Sequence, residues 1–460
     1  MNHRLRVPFG LACALALPPL LPAQWGPVTT SAAPAPSSLP LLAYDVTNAR
    51  TLLFGGNGTN ELWSFAAGTW TQLTPAVLPP ARLRANLATD PATGQIVLYG
   101  GIGNSQFALD DTWQWDGTAW QQLTPANTPG GFARHSMAYD LTRQTIVLFG
   151  GRNNLWIPNQ CSGQTWEFAA GNWTPVTPTQ SPAGRIDAMM SHHPGLNTVL
   201  LFGGQDASGA ASDETWSYDG TTWTQLNQTG PRPAARVGAG LVPVLGRNVC
   251  VLFGGRDPST MQIFNDTWEH DGANWTQVNN VYGGVYPPRA EFGITHDFQR
   301  NRLVLFGGVL ANNSLRDDTW EFGAQFLPFG TGCTGSAGVP SLVGGAPPIL
   351  GTTTTATIGN LPPSSPFALL AVGLSRTQWA GGNLPALLTS IGMPNCRTYT
   401  SADLLATVPA SGGNAQWNWS VPLQPQFLGS TFYLQGVAWD PGANALGLTV
   451  SNAATLVLGN

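Results

Sequence analysis

"TIVLFGG", Thr145–Gly151, puts five β-branched or apolar residues directly before two glycines. Apolar side chains at both alternating positions describe a strand covered above and below, not one with a wet face. The glycines suit a strand end where backbones crowd and φ turns positive. The pattern returns as "TLLFGG" (Thr51–Gly56), "QIVLYGG" (Gln95–Gly101), "TVLLFGG" (Thr198–Gly204), "VCVLFGG" (Val249–Gly255) and "RLVLFGG" (Arg302–Gly308), at intervals of 45 to 53 residues. Repetition at that period, not local propensity, decides the fold.

Each run is followed by a Trp segment: "NELWSF", "DDTWQW", "GQTWEF", "DETWSY", "NDTWEH" and "DDTWEF". In five units a second Trp stands seven residues on, as in Trp113 and Trp120. That spacing predicts a hairpin with Trp113 opposite Trp120 and Asp116-Gly117 as its two-residue turn. Asp219-Gly220 and Asp271-Gly272 fall in the same register. Where Ala-Ala takes these positions, a wider loop including Gly68 or Gly171 is expected. With a further strand before each Gly-Gly run, every unit holds four short strands, which is a β-propeller blade.

The Gly-Gly run, the Trp pair and an Arg opening most units (Arg82, Arg134, Arg185, Arg236, Arg289) resemble the kelch repeat, as in the propeller of galactose oxidase. The resemblance implies a propeller and no particular reaction. The copper site of that enzyme needs two Tyr, two His and a Cys linked to one Tyr. The chain offers no such constellation: Cys161 lies in a loop, Cys250 inside a strand, and neither has an evident Tyr partner.

The sixth unit has Trp320 but Leu327 where a second Trp is due. "AQWGPVTT", Ala23–Thr30, copies the closing segment "GNWTPVTP", Gly171–Pro178. It is therefore expected to supply the missing strand through Trp25, closing a six-bladed ring and removing its exposed edges. The expected organisation is all-β: residues 24–328 a six-bladed kelch-type propeller closed by an N-terminal strand, and 329–460 an antiparallel β-sandwich.

Residues 1–23 read as a secretory signal, with Arg4 and Arg6 before an apolar stretch and Ala23 at its end. A lipobox reading of the segment around Cys13 is the rival. Removing the signal moves the formal charge from -5 to -7. All 19 basic residues are Arg, so lysine chemistry is excluded. Without a basic run, neither nucleic acid nor membrane insertion is expected. The expected product is a monomeric, secreted or extracytoplasmic protein, with the cell surface as one location.

From Gly330 onward the composition shifts; Arg376, Arg397, Asp403 and Asp440 are the only charges in residues 329–460. "STFYLQGVAW" and "ALGLTVSNAATLVLG" alternate as antiparallel strands do. A disulfide between Cys333 and Cys396 suits an oxidising compartment. The tail resembles modules at the ends of large secreted bacterial proteins, which implies attachment or sorting.

Residue types recurring in every unit serve the architecture, whereas single occurrences are candidates for function. The recurring acids (Glu61, Asp111, Glu214, Asp266, Asp318) and opening arginines are read as structural pairs. His135, His192, His193, His270 and His296 show no metal-ligand spacing and are read as strand or surface residues. No cofactor, metal or catalytic residue is assigned.

The long connections after Gly-Gly and between blades share one face, where binding sites collect. They carry Phe107, Arg152, Asn154, Trp156, Arg256, Asp257, Phe264, Tyr282, Tyr286 and Arg316, a mixture of aromatic planes and planar polar groups suited to a glycan or protein ligand. A non-enzymatic binding protein is the first reading. An extracellular carbohydrate-active enzyme (oxidase, lyase or epimerase type) on the same ring is the alternative.

Overall fold

A computed structural model describes residues 24–458 except 31, 104–106, 154–159, 246–247, 279–286, 301, 324, 346–347, 349–350, 380–381 and 425–429. The signal-peptide expectation for 1–23 lies outside these residues. No helix among them is long and apolar enough to cross a membrane.

Six four-stranded antiparallel sheets form the propeller. Blade 1 is Leu41–Asp45, Arg50–Phe54, Leu62–Ala66 and Thr69–Leu73. Blade 2 is Asn86–Asp90, Gln95–Tyr99, Thr112–Trp115 and Trp120–Leu123; blade 3 is Ser136–Asp140, Thr145–Phe149, Thr165–Ala169 and Asn172–Val176. Blade 4 is Met189–His193, Thr198–Phe202, Thr215–Tyr218 and Trp223–Gln225; blade 5 is Gly240–Val244, Val249–Phe253, Thr267–His270 and Trp275–Val278. Blade 6 takes Gly293–Asp297, Arg302–Phe306 and Thr319–Gly323 from one end of the ring and Gln24–Val28 from the other.

The apolar runs are apolar on both faces because each serves two joints. Ile96 and Leu98 of blade 2 pack with Leu52 and Phe54 of blade 1. Their alternates Val97 and Tyr99 pack with Met137 and Ile146 of blade 3. Each large apolar side chain so covered contributes about 1.5–3 kcal/mol. At the closing joint Val304 and Phe306 meet Leu42, Leu53 and Trp70. The Gly-Gly pair is sterically required: a Cβ on Gly100 would lie 2.4 Å from Phe132 O, and φ there is 63°.

Trp25 closes the ring as expected, but its partner differs. Trp25 opposes Phe322, and Pro27 opposes Trp320. In every other blade, likewise, the second Trp faces the residue two after the first: Trp120 faces Trp115, and Trp113 faces Gln122. The turn centre is Gly117-Thr118 rather than Asp116-Gly117. Asp116 Oδ1 accepts the N–H groups of Thr118 and Ala119, leaving Gly117 (φ 102°) to take the positive φ. The Ala-Ala blades need no wider loop; Ala67-Gly68 and Ala170-Gly171 both have positive φ and make two-residue turns.

The unit Pro328–Leu458 is a second compact body. Seven of its strands share one antiparallel sheet in the order Leu448–Val457, Thr431–Trp439, Phe367–Gly373, Leu404–Ser411, Asn414–Ser420, Thr353–Gly359, Ser341–Gly344. The sheet curls until its ends nearly meet. There the Asn452 amide accepts from Leu342 N (2.8 Å) and donates to Leu342 O (3.1 Å) in place of a backbone ladder. The two layers expected of a sandwich are thus halves of one curled sheet around Leu342, Ile358, Leu370, Leu434 and Leu456. Cys333 and Cys396 are disulfide-bonded.

Candidate functional site at the channel mouth

Most charged groups of the ring are absorbed by architecture. Arg236, fully buried, donates from Nη1 to Gly254 O (2.9 Å), from Nη1 and Nη2 to Asp266, and from Nε to Ala234 O. Arg82 with Asp111, Arg185 with Glu214 and Arg289 with Asp318 repeat this clamp in blades 2, 4 and 6. Burial pushes the Asp111 and Asp318 carboxyls up, but hydrogen bonds from Arg82 and Arg289 more than reverse this and hold both below the usual carboxylate range. Each acid also accepts the indole N–H of the first Trp, as Asp266 does from Trp268 (2.7 Å).

Arg134 is not part of this set, contrary to the sequence reading. Blade 3 has Phe132 at the clamp position and Gln164 in place of the acid. Arg134 belongs instead to a ring of residues two before each inner strand: Leu39, Arg84, Arg134, Asp187, Gly238 and Glu291. All six have φ between 52° and 61°, a region five non-glycine residues occupy only under constraint. The constraint is partly visible as backbone hydrogen bonds around the ring, from Leu39 N to Glu291 O, Arg134 N to Arg84 O, Asp187 N to Arg134 O and Glu291 N to Gly238 O.

Four side chains of this ring, those of Arg84, Arg134, Asp187 and Glu291, meet at the channel mouth. Arg84 of blade 2 reaches Asp187 of blade 4 (3.5 Å) and Glu291 of blade 6 (3.6 Å). Arg134 donates to Asp187 from Nε (2.9 Å) and Nη2. Arg256 of blade 5 donates to Glu291 (2.7 Å). Each carboxylate is thus shared by two guanidinium groups.

Arg152 stands beside them without an ion-pair partner among the described residues, its Nε buried and without an acceptor. Burial, and then the charge of Arg134, lower its affinity for a proton relative to an ordinary Arg. Cys161 lies close enough to Arg152 and Arg134 to feel their charge, yet burial keeps its thiol above the usual range.

Of the candidates named from sequence, Arg152 and Arg256 come together here. Asp257 accepts from Ser259 and Thr260 in its own loop, a turn copied by Asp206 and Asn312 in the loops of blades 4 and 6. Those three loops thus share one turn. Phe264 covers the Arg236 guanidinium at 4.0 Å. Arg316 pairs with Asp318 (3.3 Å) and Phe107 is 63% exposed. Asn154, Trp156, Tyr282 and Tyr286 lie outside the described residues.

The sequence reading missed Arg84, Asp187 and Glu291. They could have been found by counting six residues back from the last residue of each inner strand, which fixes their common position.

The histidines are built into strands. His193 takes the place of the Asp that ends four of the other five inner strands: its Nδ1 accepts from Gly195 N (3.2 Å) and Leu196 N (3.1 Å), which sets Nε2 as the donor to His270 O. Burial, reinforced by His193, lowers His270 to about 4, and burial alone lowers His135 to about 3. No group of three His, Cys, Asp or Glu among the described residues is placed to hold a metal ion. Beneath the mouth lies a central cavity of about 290 Å³, lined by the inner strands and including Met137, Met190, Leu241 and Ile294.

Residues 118–308 match the KLHDC2/KLHL20/DRC7 Kelch-repeats domain. An F-box/kelch-repeat protein of Arabidopsis thaliana is 28% identical over 141 residues, covering 28% of this chain and 28% of that protein. The chain thus spans well under a third of that relative.

Proposed function

The ring being a kelch-repeat β-propeller, we propose that it is a binding protein whose long-loop face, centred on the channel mouth, takes a protein partner in an extracytoplasmic compartment, with the C-terminal body serving attachment or sorting. One observation carries this reading. Charged side chains elsewhere in the ring mostly repeat from blade to blade or close local turns, whereas Arg84, Arg134, Asp187 and Glu291 occupy one position with a different residue in nearly every blade. Variation at one equivalent position on a rigid scaffold is the mark of a surface shaped for a ligand. The Cys333–Cys396 disulfide supports an oxidising location.

The test is chemical cross-linking of the full chain in its native extract, comparing Arg256→Gln and Phe107→Asp with Thr118→Arg and Thr221→Arg, exposed turn residues of the other face. Loss of the cross-linked partner only in the first pair is expected. Equal capture by all four would remove the long-loop face from consideration.

A further inference from the structure

The charge count at the mouth does not close. Among the described residues, Arg84, Arg134, Arg152 and Arg256 have only Asp187 and Glu291 to share as ion-pair partners, the nearby Asp206 being held by Ser208 and Ala210 in its own loop. Each acid is already shared by two of these arginines: Asp187 Oδ2 by Arg134 and Arg84, and Glu291 Oε1 by Arg256 and Arg84; Asp187 reaches Arg152 only through its field. The undescribed segments of the ring cannot supply the balance, since residues 31, 104–106, 154–159, 246–247, 279–286, 301 and 324 contain no Asp or Glu. Arg152 is held in place by its own backbone, with Arg152 N and O paired to Ala133 O and N at 3.0 Å each. A half-buried guanidinium fixed beside two other cations is costly unless an anion completes the site. The planar fork of Arg fits a carboxylate, sulfate or phosphate through paired N–H donors.

We propose that the mouth is an oxyanion-binding subsite in which the Arg152 guanidinium makes the main contact and Arg134 and Arg84 add their field. The oxyanion is a group of the partner assigned to this face, so the proposal rests on that reading and sharpens it. An acidic side chain or terminal carboxylate and a sulfate or phosphate ester share this chemistry; the two arms of the test separate them.

The experiment is isothermal titration of the full chain with glutarate and, separately, with sulfate, at ionic strength held constant with chloride. Saturable one-to-one binding of at least one is expected; tighter glutarate binding assigns a carboxylate and tighter sulfate binding an ester. Arg152→Gln should weaken it roughly tenfold or more, the loss of a charge-assisted pair. Arg152→Lys should fall between, and Arg232→Gln, an exposed arginine paired with Asp213, should change nothing. Unchanged tryptophan fluorescence in the Arg152 variants would show that the ring stays folded; a misfolded Gln variant leaves the Lys variant to decide.

No saturable binding by the wild type, or equal binding by Arg152→Gln and Arg232→Gln, overturns the proposal. The face itself is judged separately: partner cross-linking lost in Phe107→Asp while the anion titration fails would sink the subsite and leave the face standing.

Discussion

Blades 2, 4, 5 and 6 each hold a buried arginine against an acid, whereas blades 1 and 3 do not, and the two exceptions differ in kind. Blade 3 has lost both partners at once, with Phe132 for the arginine and Gln164 for the acid; Gln164 still accepts from Trp166 Nε1 at 3.1 Å. Blade 1 has Ser37 in place of the arginine but keeps Glu61, at an exposed position where a carboxylate needs no cation. A buried charge is either paired or absent, because an uncompensated one costs several kcal/mol. Within one chain the six units thus perform the substitution experiment that an alignment would otherwise supply.

Breaking one side of a clamp should therefore have the largest effect. Arg236→Leu removes the guanidinium from Gly254 O and leaves Asp266 with only the Trp268 indole N–H and no cation, and should cost about 3–5 kcal/mol in urea unfolding. Arg236→Phe combined with Asp266→Gln copies blade 3 and should recover most of that loss. If the double variant is no more stable than the single, blade 3 owes its tolerance to something other than the paired replacement.

Acid should act more broadly and somewhat less. His270 stands where the other blades have Phe65, Trp115, Phe168, Tyr218 and Phe322, and its folded value of about 4 lies below the ordinary 6.5. A depressed value means that the unfolded chain takes up the proton first. The stability it confers is complete above pH 6.5 and is lost as pH falls toward 4, roughly 3 kcal/mol from this group. The depressed carboxyls Asp111 and Asp318 add a further loss below their ordinary 3.8. His270→Phe should flatten the upper part of this profile, seen as a smaller change in melting temperature between pH 7 and pH 4.5. An unchanged profile would mean that other groups carry the sensitivity.

The ring was legible because its signals are redundant: six Gly-Gly runs, six first Trp residues and one displaced strand. Closure by Trp25 followed from counting what the sixth unit lacked. The hairpin register was not legible. A separation of seven between two Trp residues fits several turn centres, and the choice rests on Asp116 accepting two N–H groups beyond Gly117. The mouth was hidden for a related reason. Arg134 sits two residues from the clamp position, so an "opening Arg" seen without register merged two positions with opposite roles. The curled C-terminal sheet escaped because alternation along a strand says nothing about where the sheet's edges end.

The smallest effect tests the same comparison between equivalent places. In five blades the outer Trp donates its indole N–H to a threonine on the third strand of the preceding blade: Trp25 to Thr267 (3.2 Å), Trp70 to Thr319 (2.8 Å), Trp173 to Thr112 (3.0 Å), Trp223 to Thr165 (3.0 Å) and Trp275 to Thr215 (2.9 Å). Blade 1 has Leu62 where that threonine should stand, and the Trp120 indole N–H is accordingly buried without an acceptor. A neutral buried hydrogen bond is worth about 1 kcal/mol net, and an unmade one costs at least as much. Thr165→Val should therefore destabilise by about 1 kcal/mol. Leu62→Thr should do the reverse in part, the regained bond offset by lost apolar burial. The decisive quantity is the coupling between Leu62→Thr and Trp120→Phe in a double-mutant cycle. A coupling near 1 kcal/mol would show that the sixth joint is weaker only for want of one hydroxyl, and a coupling near zero that packing around Leu62 has already compensated for it.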